Sequence, residues 1–178
     1  EGSSISIMRE MHFPHSWGLL YSSVTAYCGF AVNDGEYKLM GLAPFGRADL
    51  KQTAVCKEKI LTDLISLKED GSVRLAMEYF DFAYGDCMYR EEKWRKLFGI
   101  PPRRPESPLT DSYACLALAI QEIMEEGMLR LAKTARQLTG STHLVMAGGV
   151  ALNCPANGRL AHSGLFTDIW VQPAAGVA

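Results

Sequence analysis

The stretch LVMAGGVALNCPANGRL, residues 144–160, contains the sharpest change of pattern in the chain. Three large apolar residues and an alanine are followed by two adjacent glycines, Gly148 and Gly149, and then by an asparagine and a proline that suit the start of a helix. The pattern predicts a strand at about 143–147, a tight turn, and a helix that ends before Gly164. Because its apolar run is continuous, we expect the strand to be central and buried on both faces.

The flanking residues extend this pattern in both directions. Upstream, apolar residues recur at helical spacing from Asp111 to a closing Gly140, which predicts a helix of about 27 residues. Downstream, DIWVQ at 168–172 predicts another short strand. The order helix, strand, helix, strand implies parallel strands and therefore an α/β fold.

The first two thirds of the chain are more irregular. Ser16 is a candidate N-cap for a helix over about 16–28, and residues 50–70 also have a helical pattern. Between these two helices, GEYKLMGLAPFG at 35–46 is expected to form a glycine-punctuated loop. A short strand in DGSVRL is expected next, and a proline-rich extended segment covers 99–109.

Composition limits the classes of function. With 178 residues, 48% of them apolar and 21% charged, the chain is long enough for one domain with a sizeable core. A net charge of −2 argues against a non-specific nucleic-acid surface, and no apolar run approaches the roughly 20 residues that span a bilayer. The five cysteines are scattered without a CxxC pair, which favours reduced thiols in the cytoplasm over a zinc site. The absence of an initiator methionine leads us to expect a piece of a longer chain.

Two explanations fit the paired glycines. The backbone needs to turn sharply there, or a ligand such as an anion or a flat base lies against exposed N–H groups at Gly148 and Gly149. Asn153, about one turn later, could reach a ligand hydroxyl or cap its own helix. The stretch matches neither a Walker A nor a GxGxxG motif.

Four further side chains are candidates for chemistry. Glu36 and Lys38 would suit ribose hydroxyls and phosphate, although a surface turn with solvated charges explains them equally. Asp81 lies among aromatic residues, where a carboxylate could act as a base or simply face solvent. His15 is a weaker candidate, and the proline between it and His12 argues against a two-histidine metal face.

Four motifs resemble those of one known family. FPHSWGLLYSSVTAYCGF, GEYKLMGLAPFG, FGIPPRRPES and LVMAGGVALNCPANGRL followed by DIWVQPAAG resemble the nodulation-protein and antibiotic-biosynthesis O-carbamoyltransferases, in order and over nearly the whole chain. The resemblance implies part of an actin-like ATPase (ribonuclease H-like) domain, similar to the protein that makes threonylcarbamoyl-adenosine in tRNA. It further implies a helical insertion at about 47–110 and a nucleotide-binding α/β part at about 111–178.

The resemblance also implies an activity. Family members make carbamoyl-adenylate from carbamoyl phosphate and ATP in a second domain, and transfer the carbamoyl group to a hydroxyl of a sugar-like or antibiotic acceptor. Carried over, Gly148 and Gly149 would lie against the adenylate with Asn153 nearby. Glu36 and Lys38 would serve its ribose and phosphate side. Asp81, or less favourably His15, would be the base near the carbamoyl carbon.

The chain departs from the family pattern at the metal site. The family's HxxxH ligands are absent here, and the acidic ligand after QPAAG is replaced by Val177. We therefore expect no tightly bound iron or magnesium in this fragment, although the full-length family carries a divalent metal, and we expect the fragment to be inactive alone. A homodimer is compatible with the sequence. An actin-like-fold sugar kinase and a non-catalytic nucleotide-binding or assembly module are the alternative functions.

Overall fold

The computed structural model describes residues 5–49 and 51–173 and has a mixed α/β fold. The α-helices are α1 (Trp17–Tyr27), α2 (Glu36–Leu42), α3 (Lys51–Lys59), α4 (Glu91–Phe98), α5 (Asp111–Thr139) and α6 (Cys154–His162). The strands are β1 (Ile65–Leu67), β2 (Val73–Leu75), β3 (His143–Met146) and β4 (Asp168–Val171). Strands β1 and β2 form an antiparallel pair, whereas β3 and β4 form a parallel pair.

Helix α5 organises the core. It has 29 residues and ends at Gly140, whose φ of 67° is left-handed, so the predicted long helix is confirmed. Helices α1, α2, α3 and α6 all pack against it. At its solvent edge, Glu126 accepts hydrogen bonds from Arg130 on the same helix and from Arg159 on α6, each at 2.9 Å.

Helix α1 lies next to α5 and also matches its prediction. Ser16 is its N-cap, and the hydroxyl accepts a hydrogen bond from the Leu19 N–H at 3.3 Å. At the other end, the buried Arg103 side chain donates from Nε to the Cys28 carbonyl at 2.8 Å. Both ends of α1 therefore have side-chain partners for backbone groups that a helix leaves unpaired.

The helix predicted over 50–70 is only partly right. After α3, a π-helical turn over Ile60–Leu64 leads directly into β1, which reverses into β2. The reversal is stabilised by Asp70, whose carboxylate accepts from the Ser72 N–H at 2.9 Å, and by Gly71, which adopts a φ of 84°. The pairing of β1 with β2 thus replaces the last turns of the predicted helix.

The predicted loop at 35–46 is wrong, because its first half is helix α2, followed by a 3-10 helix at Ala43–Phe45. Leu39 and Leu42, three positions apart, are buried and anchor α2 to the core. The Glu36 carboxylate accepts from the Asn33 N–H at 3.1 Å and so closes the turn before the helix. Local hydrogen bonding and burial outweigh the loop signal of the glycines.

Strands β3 and β4 are parallel, as predicted, with Val145 opposite Trp170. The expectation that β3 is buried on both faces is wrong. Leu144 and Met146 pack towards the helices, but Val145 is 74% exposed and Trp170 is 57% exposed. In the described residues, the helices cover only one face of this sheet, so alternate residues point outward.

The segment expected to be a helical insertion at 47–110 contains α3, α4 and the β1–β2 pair. Its buried residues belong to the same hydrophobic core as those of α1 and α5. Trp94 is fully buried and contacts the rings of Tyr27 and Phe80 at centroid distances of 5.2 and 5.8 Å. The insertion boundaries stay a prediction.

Within the described ranges, none of the helices combines the length and the hydrophobicity needed to cross a membrane. All five cysteines are free, and three of them are buried.

Candidate functional site

The paired glycines form an exposed turn at the carboxyl end of β3. Gly148 has φ 90° and ψ 163°, a conformation that residues with a Cβ rarely adopt. A Cβ built on Gly148 would meet nothing within 4 Å, so the space in front of the backbone is open. Gly149 is also exposed and begins a 3-10 helix, Gly149–Leu152, that leads into α6. The steric explanation therefore holds at Gly148, and the turn is also accessible to a ligand.

Asn153 caps α6, which is one of the two roles that its sequence position predicts. Its Oδ1 accepts from the Ala156 N–H at 3.1 Å, and the residue is only 8% exposed. The same amide forms a reciprocal pair with Gln121 of α5: Gln121 Nε2 donates to Asn153 Oδ1 at 2.8 Å, and Asn153 Nδ2 donates to Gln121 Oε1 at 3.1 Å. Direct contact between Asn153 and a ligand stays a prediction.

The amide pair continues to α1 through Tyr21, whose hydroxyl donates to Gln121 Oε1 at 2.9 Å. Burial raises the pKa of Tyr21 well above its usual range, so the hydroxyl stays protonated and remains a donor. Neither Tyr21 nor Gln121 is among the candidates that the sequence predicts. The available signal was a glutamine placed directly after Ile120 in the apolar stripe of α5.

The start of α1 lies against this turn. A Cβ built on Gly18 would be 3.5 Å from Val150 Cγ2, so the Val150 side chain packs beside the backbone of α1 at Gly18. His15, just before α1, is half-buried and accepts a hydrogen bond at Nδ1 from the Leu75 N–H of β2 at 3.2 Å. Nδ1 therefore carries no proton, and the neutral ring carries its proton on Nε2.

Asp81 lies in a loop beside α1. Its side chain is 34% exposed, and Oδ1 is 3.9 Å from Arg90 Nε, so the aromatic neighbours do not enclose it. The ring of Phe82 contacts that of Phe13 at a centroid distance of 6.3 Å, which connects the loop to the residues before α1. The role of Asp81 as a base stays a prediction.

Glu36 and Lys38 lie on different sides of α2, because residues two positions apart in a helix do not share a face. The Glu36 carboxylate is half-buried and accepts from the Ser22 hydroxyl at 2.6 Å, one turn along α1 from Gly18. The Lys38 ammonium is exposed and lies 5.9 Å from the centroid of the Tyr37 ring. Only Glu36 is tied to the side of α1 that faces the turn.

The described residues do not supply a metal centre. Among them, no three histidine, cysteine, aspartate or glutamate side chains come together in a way that could hold an ion. Val177, at the position where the resemblance implies an acidic metal ligand, lies outside the described residues.

The fold and the turn define a mixed α/β protein with an exposed backbone site at the carboxyl end of a parallel strand. The chain belongs to the carbamoyltransferase family: the family model described as Carbamoyltransferase N-terminus matches residues 1–178.

Three relatives are similar along essentially the whole chain. Uncharacterized protein sll1178 of Synechocystis is 50% identical over 178 residues, which are 100% of this chain and 28% of that protein. Nodulation protein NolO of Bradyrhizobium diazoefficiens is 35% identical over 176 residues, or 98% of this chain and 29% of NolO. Nodulation protein NolNO of Sinorhizobium fredii is 33% identical over 176 residues, or 98% of this chain and 23% of NolNO. The chain thus spans less than a third of these relatives' length.

Proposed function

We propose that this chain is part of an O-carbamoyltransferase that transfers a carbamoyl group from carbamoyl-adenylate to a hydroxyl of a sugar-like or antibiotic acceptor. The carbamoyl-adenylate would be made from carbamoyl phosphate and ATP, and the chain would form part of an actin-like domain. Membership of the family supports the reaction type. The open turn at Gly148 is the observation that carries the nucleotide site, because ligands of parallel α/β sheets bind beyond the carboxyl ends of the strands.

The chemistry assigns a task to each candidate. The acceptor oxygen attacks the carbamoyl carbon and forms a new C–O bond. The bond from that carbon to the adenylate phosphate oxygen breaks, AMP leaves with the electron pair, and the hydroxyl proton passes to a base. Gly148 and Gly149 would let the adenylate approach the backbone.

The hydrogen bond at His15 bears on the choice of base. With Nδ1 occupied by the Leu75 N–H, neutral His15 can donate from Nε2 to a ligand oxygen but has no free acceptor nitrogen. Asp81 therefore remains the preferred proton acceptor, and His15 would orient a substrate.

A divalent metal would supply charge neutralisation beside the phosphate in the full-length family. Because the described residues offer no cluster of ligands, we assign no step of transfer to a metal in this chain.

Calorimetry with AMP tests the nucleotide site in the protein expressed at its full natural length. Gly149→Val places two methyl groups where the adenylate would lie, and we expect the affinity for AMP to fall sharply while the fold is kept. Gly158→Val is the matched control, since a Cβ at Gly158 meets nothing within 4 Å on the following helix. Unchanged affinity in Gly149→Val would return the turn to a purely structural role.

The products of turnover separate the alternatives. With ATP, carbamoyl phosphate and an acceptor, a carbamoyltransferase releases AMP, whereas a sugar kinase releases ADP. A binding or assembly module releases neither nucleotide.

A further inference from the structure

The amide of Gln121 uses all of its hydrogen-bonding positions. Oε1 accepts from the Tyr21 hydroxyl at 2.9 Å and from Asn153 Nδ2 at 3.1 Å. Nε2 donates to Asn153 Oδ1 at 2.8 Å and to Glu125 Oε1 at 3.1 Å. Gln121 is 3% exposed, so this arrangement is shielded from water.

The pair with Asn153 fixes the far end of the glycine turn. Asn153 is the residue at which the 3-10 helix ends and α6 begins. Because the reciprocal amide pair has two hydrogen bonds, it fixes both the position and the orientation of the Asn153 side chain. Asn157 adds a second restraint, since its Nδ2 donates to the Ala151 carbonyl at 2.7 Å. The turn is therefore tied to α5, the longest helix, and not only to its own strand and helix.

Stability alone is a weak reason for such an arrangement. A buried polar network has to repay the desolvation of every member, and well-packed apolar residues often give equal stability. What a fully satisfied network adds is a defined geometry. Here the network fixes the geometry beside the glycine turn, where the space next to Gly148 is open.

We propose that Gln121 is a positioning residue that, through its amide pair with Asn153, holds the Gly148–Leu152 turn in the conformation that accepts the adenylate. The identity of the ligand rests on the proposed function. Gln121 itself would not touch the ligand, because it contacts the turn through Asn153.

Calorimetry with AMP on the protein at its full natural length tests this proposal. Gln121→Met keeps the length of the side chain but removes the amide pair, and we expect Kd to rise about tenfold. The number of binding sites per protein molecule should stay unchanged, since a positioning defect weakens the site equally in all molecules. A purely structural defect would instead lower the number of sites through unfolding and leave Kd as it was.

Two further variants sharpen the test. Ile120→Val on the same helix is the control for a small loss of core packing, and it should leave Kd unchanged. In a double-mutant cycle, adding Gln121→Met to Asn153→Ala should weaken binding no further than Asn153→Ala alone, because Gln121 acts through Asn153. If Gln121→Met does not fold, Gln121→Asn serves instead, since its amide is one methylene too short to reach Asn153.

The outcomes are distinguishable. Lost affinity in Gly149→Val together with an unchanged Kd in Gln121→Met overturns this inference and leaves the proposed function standing. Unchanged affinity in Gly149→Val overturns this inference together with the placement of the nucleotide at the turn, whereas the release of AMP tests the reaction itself. Additive effects of Gln121→Met and Asn153→Ala also overturn the inference, because they would show that Gln121 acts by another route.

Discussion

Replacing Gly127 by alanine should destabilise the chain, although the same change in most helices is stabilising. Gly127 lies in the middle of α5 and faces the indole of Trp17, the first residue of α1. A Cβ at Gly127 would overlap the Cζ2 and Cη2 atoms of that ring. Trp17 is 3% exposed, and its N–H donates to the Gly71 carbonyl at 3.1 Å, so the rigid ring cannot move without losing a partner.

Three terms decide the sign of this change. Alanine gains about 1 kcal/mol over glycine within a helix. Overpacking a well-filled core costs about 1–3 kcal/mol. Losing the hydrogen bond from Trp17 to Gly71 costs about 1 kcal/mol more. The gain and the lost hydrogen bond roughly cancel, so Gly127→Ala should reduce the free energy of unfolding by about 1–3 kcal/mol.

Urea unfolding of the 178-residue chain, followed by circular dichroism, measures this difference. Gly158→Ala in α6 is the matched control, because its Cβ enters open space and should stabilise the chain by up to about 1 kcal/mol. The argument would be refuted if Gly127→Ala were as stable as the parent or more so.

Three other predictions follow from exposure and charge. Val145→Asp should change the unfolding free energy of the chain by no more than about 0.5 kcal/mol, because Val145 is exposed, whereas Met146→Asp, next in sequence, should cost about 1–3 kcal/mol in the same urea titration. In the native protein at about pH 8, iodoacetamide should label the exposed Cys87 but not Cys28, as peptide mass spectrometry would show, because burial raises the pKa of the Cys28 thiol to about 12. The hydrogen bond from Arg130, and the charges of Arg130 and Arg159, hold the pKa of Glu126 below its ordinary value of 4.5. Its contribution to stability is therefore present above pH 4.5 and lost as the pH falls through the lower folded-state pKa, and unfolding curves of Glu126→Gln should lack that part of the pH dependence.

The sequence best predicts those elements in which apolar residues recur at a regular spacing over a long stretch and a capping residue marks the end. Helix α5 has an apolar stripe along its whole length and a closing Gly140. The residues from Ile60 to Leu75 have no such regularity, because the apolar run passes from a π-helical turn into β1 without a break. What selects the strand there is pairing with β2, in which Ile65 lies opposite Leu75, and a local pattern does not reveal that partner.

The candidate site also has features that the sequence predicts and features that it does not. The exposed turn at Gly148 is visible in the sequence, because adjacent glycines mark a backbone that bends or is approached closely. The pairing of Gln121 with Asn153 joins residues 32 positions apart, and only the packing of α6 on α5 brings them together. The exposure of Val145 could not be predicted from the sequence either, since an apolar run does not indicate how many faces of its sheet are covered.

Helix α1 gives the candidate residues a common frame. Its first turn packs on the glycine turn, where Gly18 approaches Val150. His15, one residue before the N-cap, is held by β2, and the Ser23 hydroxyl donates to the Met88 carbonyl, in the loop that carries the candidate base, at 3.4 Å. The glycine turn and the loop that carries Asp81, which are the candidate nucleotide and acceptor sides, thus both contact α1. Transfer between two substrates requires their reacting atoms to be held at a fixed separation, and in the proposed reaction these contacts with α1 would set that separation during folding.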